Sequence, residues 1–241
     1  MNIFGRTDIG SVRSSNQDAY LSGYLPGGAV WMAVCDGMGG ANGGNIASLT
    51  AVDVISSGFE AVDVTPETDA AALLLELLEK SNRAVYEKAQ QEPALAGMGT
   101  TAVIALVVGG RCTIAHVGDS RAYLFRDGTV RQLTEDHSIV QELVRMGELT
   151  AEQARNHPRR NIITRAVGVS PQVEPDVTTI DFRTGDMLLA CTDGLSGYLG
   201  EEELGDYMNH YKGQDLIDHL LDHALQAGGA DNITVAVIEN D

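Results

Sequence analysis

VWMAVCDGMGGANGG, residues 30–44, is an apolar run that stops at Asp36 and passes into five glycines within eight residues. Six apolar residues in succession, with two valines and a tryptophan among them, read as a buried strand. A carboxylate at its end, followed by a turn stripped of side chains, is costly unless something compensates the charge.

The pattern returns along the chain. CTIAHV leads into Gly118-Asp119-Ser120, and MLLACT leads into Asp193-Gly194. Asp231-Asn232 stands just ahead of ITVAVI, and Asn16-Gln17-Asp18 just ahead of AYLSGYL. Taken singly, each aspartate is a turn residue, Asp-Gly being a common turn dipeptide. Taken together, five carboxylates at strand mouths would repel one another wherever the sheet ends converge, and a divalent cation removes that penalty. Oxygen-only ligands select hard ions such as Mg²⁺ or Mn²⁺. No histidine or cysteine pair has the spacing of a zinc site.

Glycine at position 37 lets the backbone approach, so that its carbonyl can serve as a ligand. Gly39, Gly40, Gly43 and Gly44 keep the turn thin. The stretch lacks the Gly-Lys-Ser/Thr of a phosphate loop and the glycine spacing of a dinucleotide fingerprint. Several carboxylates can hold two metals and activate a bridging water against a phosphoryl or acyl centre. Arg13, five residues before Asp18, favours the phosphoryl centre, because its planar fork matches two phosphate oxygens.

The remaining pattern sets the fold class. Strands are expected near 1–8, 17–24, 29–35, 100–108, 111–117, 121–126, 129–133, 176–182, 186–192 and 232–238. Gly109-Gly110 and Arg126-Asp127-Gly128-Thr129 are too short for helical crossovers and predict antiparallel hairpins. Helical spacing appears over 43–61 and 66–91, the latter with Thr65 as N-cap and Pro66 at the first helical position. Shorter helices are expected near 137–147, 150–156, 201–209 and 214–227. Strands and helices gathered in blocks, rather than alternating, predict an α+β fold with packed sheets and outer helices. With no repeat or linker, residues 1–241 read as one domain.

The chain has 241 residues, 44% hydrophobic and 21% charged, and a formal net charge of −18. That balance argues against a nucleic-acid partner. No apolar run spans a bilayer and the N-terminus does not read as a signal peptide, so a cytoplasmic protein without a membrane partner is expected. Cys35, Cys112 and Cys191, odd in number and each in or beside an apolar run, read as buried thiols.

RSSNQD (13–18), DGMGG (36–40), GTT (99–101), GDSRAY (118–123), EDHS (135–138), TDGL (192–195) and ADNITV (230–235) together resemble the metal-dependent protein phosphatases of type 2C, in their short bacterial form. The resemblance spans nearly the whole chain. It implies a four-layer α-β-β-α sandwich, two antiparallel sheets face to face with helices outside. It also implies hydrolysis of phosphoserine and phosphothreonine in proteins, with Mn²⁺ or Mg²⁺. Carried over by motif, Asp36 bridges two metals and the Gly37 carbonyl binds one of them. Asp193 and Asp231 complete the first metal, and Asp18 holds metal-bound water. Asp119 shares a third, weaker ion with Asp193, and Arg13 clamps the substrate phosphate. Arg13 and Asp36 are thus the catalytic candidates. Phosphorylated proteins, among them a kinase of the eukaryotic-like serine/threonine type, are the implied partners, and a monomer is the expected state.

Two positions depart from the family pattern. Met38 stands where many members carry a histidine that protonates the leaving group, leaving a metal-bound water or bulk solvent for that step. Gln17 stands where many members have Glu. Residues 138–168 resemble the family's flap beside the active site, and their arginines Arg155, Arg159, Arg160 and Arg165 are candidates for contact with the substrate segment. His116 reads as a hydrogen-bonded core residue, His137 as a helix cap, and Met146 and Leu143 as packing. Two other functions fit less well: a catalytically inert phosphoprotein-binding module, and a hydrolase of small phosphorylated metabolites. The chain keeps every acidic position except that of Gln17, which disfavours the first.

Overall fold

A computed structural model describes residues 1–241, the side chains at positions 41 and 42 excepted. In chain order its elements are β1 (Asn2–Asp8), β2 (Asp18–Tyr24), β3 (Val30–Met38), α1 (Gly40–Glu60), α2 (Ala70–Gln91), β4 (Gly99–Thr100), β5 (Ala102–Val108), β6 (Arg111–Val117) and β7 (Arg121–Arg126). There follow β8 (Thr129–Gln132), α3 (Ile139–Arg145), α4 (Ala151–Arg155), β9 (Asp176–Asp181), β10 (Met187–Cys191), α5 (Asp193–Ser196), α6 (Glu201–His210), α7 (Gly213–Gln226) and β11 (Ile233–Glu239).

Both glycine turns close hairpins as expected. Val108 faces Arg111 across Gly109-Gly110, and Arg126 faces Thr129 across Asp127-Gly128. All four turn residues have positive φ, which matches the twist of the flanking strands. The strands form two antiparallel sheets, one in the order β1-β11-β10-β7-β8, the other β2-β3-β5-β6-β9 with β4 beside β3.

Alternation of side chains explains why these strands are apolar throughout. In β3, Trp31, Ala33 and Cys35 face α1 and α2, while Val30, Met32 and Val34 face the other sheet. In β10, Met187, Leu189 and Cys191 face the helices α5–α7, while Leu188 and Ala190 face inward between the sheets. Three apolar layers therefore separate four layers of structure, an α-β-β-α sandwich of the α+β class. Each fully buried Leu or Ile in them contributes about 1.5–3 kcal/mol. The three cysteines are buried free thiols.

Several local expectations are corrected. The second helix does not begin at Pro66. The Thr68 N–H bonds the Thr65 carbonyl (3.0 Å) and the Thr65 N–H bonds the Thr68 hydroxyl (2.9 Å), closing a turn. Asp69 caps the helix instead, accepting from the Ala72 N–H at 3.1 Å. Asp69→Ala is expected to cost about 1 kcal/mol and to lower Tm by roughly 2–4 °C, read by thermal melting with the site's activity unchanged. In α1 the buried stripe is Ala47, Ala51, Val52, Ile55 and Phe59. Met146 is 66% exposed rather than packed. Strand β3 runs on through Asp36 to Met38, because β2 and β4 continue to pair with it.

Candidate active site

The register of β2 against β3 places Asp18 directly opposite Asp36. Asp119 lies in the turn between β6 and β7, Asp193 starts α5 at the end of β10, and Asp231 precedes β11. Although they are up to 213 residues apart, these five residues come to one rim of the two sheets. A cleft of about 470 Å³ opens there, lined by Asp36, Gly37, Asp119, Asp193 and Asp231, with Arg13 at its edge. Asp18 lies beneath, buried, near enough for its charge to act on Asp36.

Backbone contacts fix the acidic residues. The Asp36 N–H bonds the Thr101 hydroxyl at 2.9 Å, and its carbonyl accepts the Thr101 N–H at 2.8 Å and the Thr100 hydroxyl at 2.8 Å. Thr101 also meets the Ser120 hydroxyl at 2.6 Å, tying β3 to the turn that carries Asp119. Asp18 Oδ2 accepts from Thr192 at 2.9 Å and Thr234 at 2.7 Å. Its other oxygen, Oδ1, is buried with no donor, and so is Asp193 Oδ1.

Gly37 and Gly44 also allow a close packing contact. A Cβ on Gly37 would overlap the Gly44 carbonyl, and a Cβ on Gly44 would lie 2.6 Å from the Gly37 oxygen. The glycines bring α1 against β3 backbone to backbone. Gln17 stitches this junction, its amide donating to the Gly40 carbonyl at 2.8 Å, so its side chain is engaged with the turn.

The electrostatics follow from burial. Desolvation, then the charge of Asp193, pushes Asp18 up to about 7, against two hydroxyl bonds that lower it. Burial and Asp193 likewise push Asp119 up to about 7. Asp36 is raised by burial and then by Asp18, and Asp193 by burial and then by Asp231. Such a cluster holds its charges only at a cost that a multivalent cation offsets. The two buried oxygens without donors and the oxygen-only donor set at an open cleft fit hard divalent ions. Arg13 Nη2 lies 2.6 Å from Asp231 Oδ2, within reach of an anion in the cleft.

Asn161 and Ile163, from the segment after α4, also line the cleft. No local signal marks either, since their approach depends on how that segment folds back. Among the described cleft-lining residues none is a histidine, and Met38 lies at the wall. His116 is buried as expected, donating from Nε2 to the Glu135 carbonyl at 2.9 Å. His137 is not a cap: Ser138 caps α3, and His137 accepts the Gly118 N–H at Nδ1, 3.1 Å away.

Known proteins are similar to this chain in sequence and fold. A family model described as Protein phosphatase 2C matches residues 10–234. A protein of Listeria welshimeri named serine/threonine phosphatase stp is 39% identical over 238 residues, covering 98% of this chain and 94% of that protein. The solved structure of the S. agalactiae serine/threonine phosphatase superposes with a TM-score of 0.93 at 38% identity, covering 100% of this chain and 99% of that one. The catalytic domain of the serine threonine protein phosphatase PstP, solved in complex with 2 manganese ions, superposes with a TM-score of 0.87 at 35% identity, covering 98% and 96%.

Proposed function

The chain belongs to the protein phosphatase 2C family and is a phosphoprotein phosphatase, and from that premise we propose that it hydrolyses phosphoserine and phosphothreonine with Mn²⁺ or Mg²⁺ as cofactor. The observation that carries this reading is the meeting of Asp18, Asp36, Asp119, Asp193 and Asp231 at one cleft beside Arg13. Asp36, the Gly37 carbonyl, Asp193 and Asp231 would hold two ions, Asp18 would orient water beneath them, and Asp119 with Asp193 would hold a third, weaker one. Bound there, such ions polarise the phosphoryl oxygens and make a nucleophile of water at neutral pH.

The chain's own groups do the rest. Arg13 exchanges its bond to Asp231 for two phosphate oxygens and sets the phosphate's orientation. Thr192 and Thr234 hold Asp18, and Thr101 holds Asp36, so the carboxylates are preorganised. Met38 donates no proton, and the leaving alkoxide takes one from water entering the open cleft. Residues 1–241 act as one catalytic domain, with the segment near 138–168 as its flap. The substrates are phosphorylated proteins, and a cognate eukaryotic-like serine/threonine kinase is among them. A cytoplasmic monomer fits a chain in which, among the described residues, no helix is long and apolar enough to cross a membrane.

The test is an assay of a phosphothreonine peptide and of 4-nitrophenyl phosphate, with Mn²⁺ and with excess chelator. Turnover that survives chelation would refute the metal centre, and absence of turnover with the metal would favour the inert binding module. The flap adds a narrower expectation. Arg159 and Arg160 are exposed and adjacent to Asn161 at the cleft. Reversing both to Glu is expected to raise KM for the phosphopeptide about 5- to 10-fold, and to move that for the aryl phosphate less than about twofold. Equal effects on both substrates would remove their contact with the peptide.

A further inference from the structure

Behind the cleft, His116, His137 and Asp176 gather at the edge where β9 pairs with β6. Two imidazoles and a carboxylate suggest a metal site, but the protonation pattern opposes it. His137 Nδ1 accepts the Gly118 N–H, so the neutral ring carries its proton on Nε2, which donates to Asp176 Oδ2 at 3.2 Å. His116 donates from Nε2 to the Glu135 carbonyl and has only Nδ1 left to offer. The guanidinium of Arg165 already stands over the cluster, its Nη1 3.1 Å from Asp176 Oδ1 and 3.2 Å from the Glu174 carbonyl. The cation of this site is an arginine of the chain.

What that arginine connects is informative. His137 holds both backbone groups of Gly118, its N–H donating to the Gly118 carbonyl at 2.9 Å while its ring accepts the Gly118 N–H. Gly118, at φ +104°, is the residue before Asp119. On its other side the His137 carbonyl accepts the Thr164 N–H at 2.7 Å, and Ser138 bridges to Ile163. Thr164 lies between Ile163, which lines the cleft, and Arg165, which reaches Asp176. One residue thus touches both, its ring the turn of Asp119 and its carbonyl the returning edge of the flap.

We propose that Arg165, Asp176 and His137 form a latch of positioning residues that holds the Gly118–Asp119 turn and flap residues 161–165 in one register, and so sets the fit of the phosphorylated polypeptide rather than the chemical step. Arg165 is thereby removed from the arginines that touch substrate. The role in substrate fit rests on the phosphatase reading, whereas the mechanical coupling does not.

The test uses the full chain with Mn²⁺. Hydrogen exchange is followed in peptides covering 117–121 and 158–166, beside kinetics on a phosphothreonine peptide and 4-nitrophenyl phosphate. Arg165→Gln is expected to speed exchange in both segments, leaving the central strands β3 and β10 unchanged. It is expected to raise KM for the phosphopeptide about fivefold, with kcat and the aryl-phosphate kinetics held within about twofold. Arg165→Lys, which keeps a cationic donor for Asp176, restores most of both. Asp176→Asn, which leaves His137 an acceptor, reproduces the pattern more mildly and stands in should Arg165→Gln fail to fold. The latch is overturned by faster exchange in the flap segment alone, by equal losses on both substrates, or by no rescue with Lys. If the unsubstituted protein showed no phosphatase activity, the reading of function would fall, and the exchange data would still decide the coupling.

Discussion

Asp193→Asn is expected to cut metal-dependent turnover of a phosphothreonine peptide by roughly 10²–10³-fold while the protein stays folded. The side chain is nearly isosteric, and its position at the head of α5 follows from Thr192 at the end of β10, so the backbone has no reason to move. What changes is charge. Asp193 raises Asp18, Asp36 and Asp119 at once, and its Oδ1 is buried without a donor. An amide there offers a weaker ligand oxygen and an N–H₂ that a cation repels. The same substitution lowers the repulsion among the remaining carboxylates, so the metal-free variant melts at or above the temperature of the unsubstituted protein. Calorimetric titration with Mn²⁺ should show weakened binding. Near-normal turnover with Mn²⁺ affinity intact would mean that Asp193 is not a ligand.

Stripped of metal, the protein is expected to lose stability as pH rises from about 4 to about 7. In the unfolded chain Asp18 and Asp119 titrate near 3.8, whereas in the fold both are held up to about 7. The folded state therefore keeps protons that the unfolded state has released. Stability falls with rising pH across that interval, is fully present below the unfolded value, and is lost as pH passes the folded one. Three units on the first such group amount to about 4 kcal/mol, and because the carboxylates raise one another the total is less than the sum of the separate shifts. Asp176 and Asp186 act elsewhere. Burial pushes both up, but bonds from His137 and Arg165 to the first, and from Arg126 and the Arg183 N–H to the second, outweigh it. Their window lies below the ordinary carboxylate value. Saturating Mn²⁺ should flatten the dependence and add about 4 kcal/mol at a thousandfold excess over Kd. Urea melts at several pH values, with chelator or with Mn²⁺, measure this. Asp18→Asn separates the site from the general repulsion of an acidic chain: it should reduce the slope in the chelated protein. A slope unchanged by that substitution would show that the cluster does not carry it.

Local chemistry made much of the fold legible before any coordinates. Gly109-Gly110 and Asp127-Gly128 tolerate the positive φ of a tight turn and stand between apolar runs, so the hairpins β5–β6 and β7–β8 could be named from dipeptides. The apolar runs ending in Asp36, Asp119 and Asp193 were readable because burial on both faces removes the usual alternation. The start of α2 was not. Thr65-Pro66 and Asp69 both offer capping chemistry, and the choice fell to a turn that binds Thr65 to Thr68. His137 failed as a cap for a related reason, since its ring is claimed by Gly118, nineteen residues earlier, through a sheet edge that no local window contains.

Local residue types alone specify which carboxylates stand where strands end, and from that the oxygen-only chemistry of the cleft and its six metal-site candidates. That Asp18 faces Asp36 across a strand pair, that Arg13 reaches Asp231, that Asn161 and Ile163 enter the cleft, and that Arg165 is held by Asp176 follow from the packing of distant segments. The difference is one of range. Turn and strand preferences are settled by neighbours a few bonds away, whereas the packing of two sheets sets the distance between groups as many as two hundred residues apart.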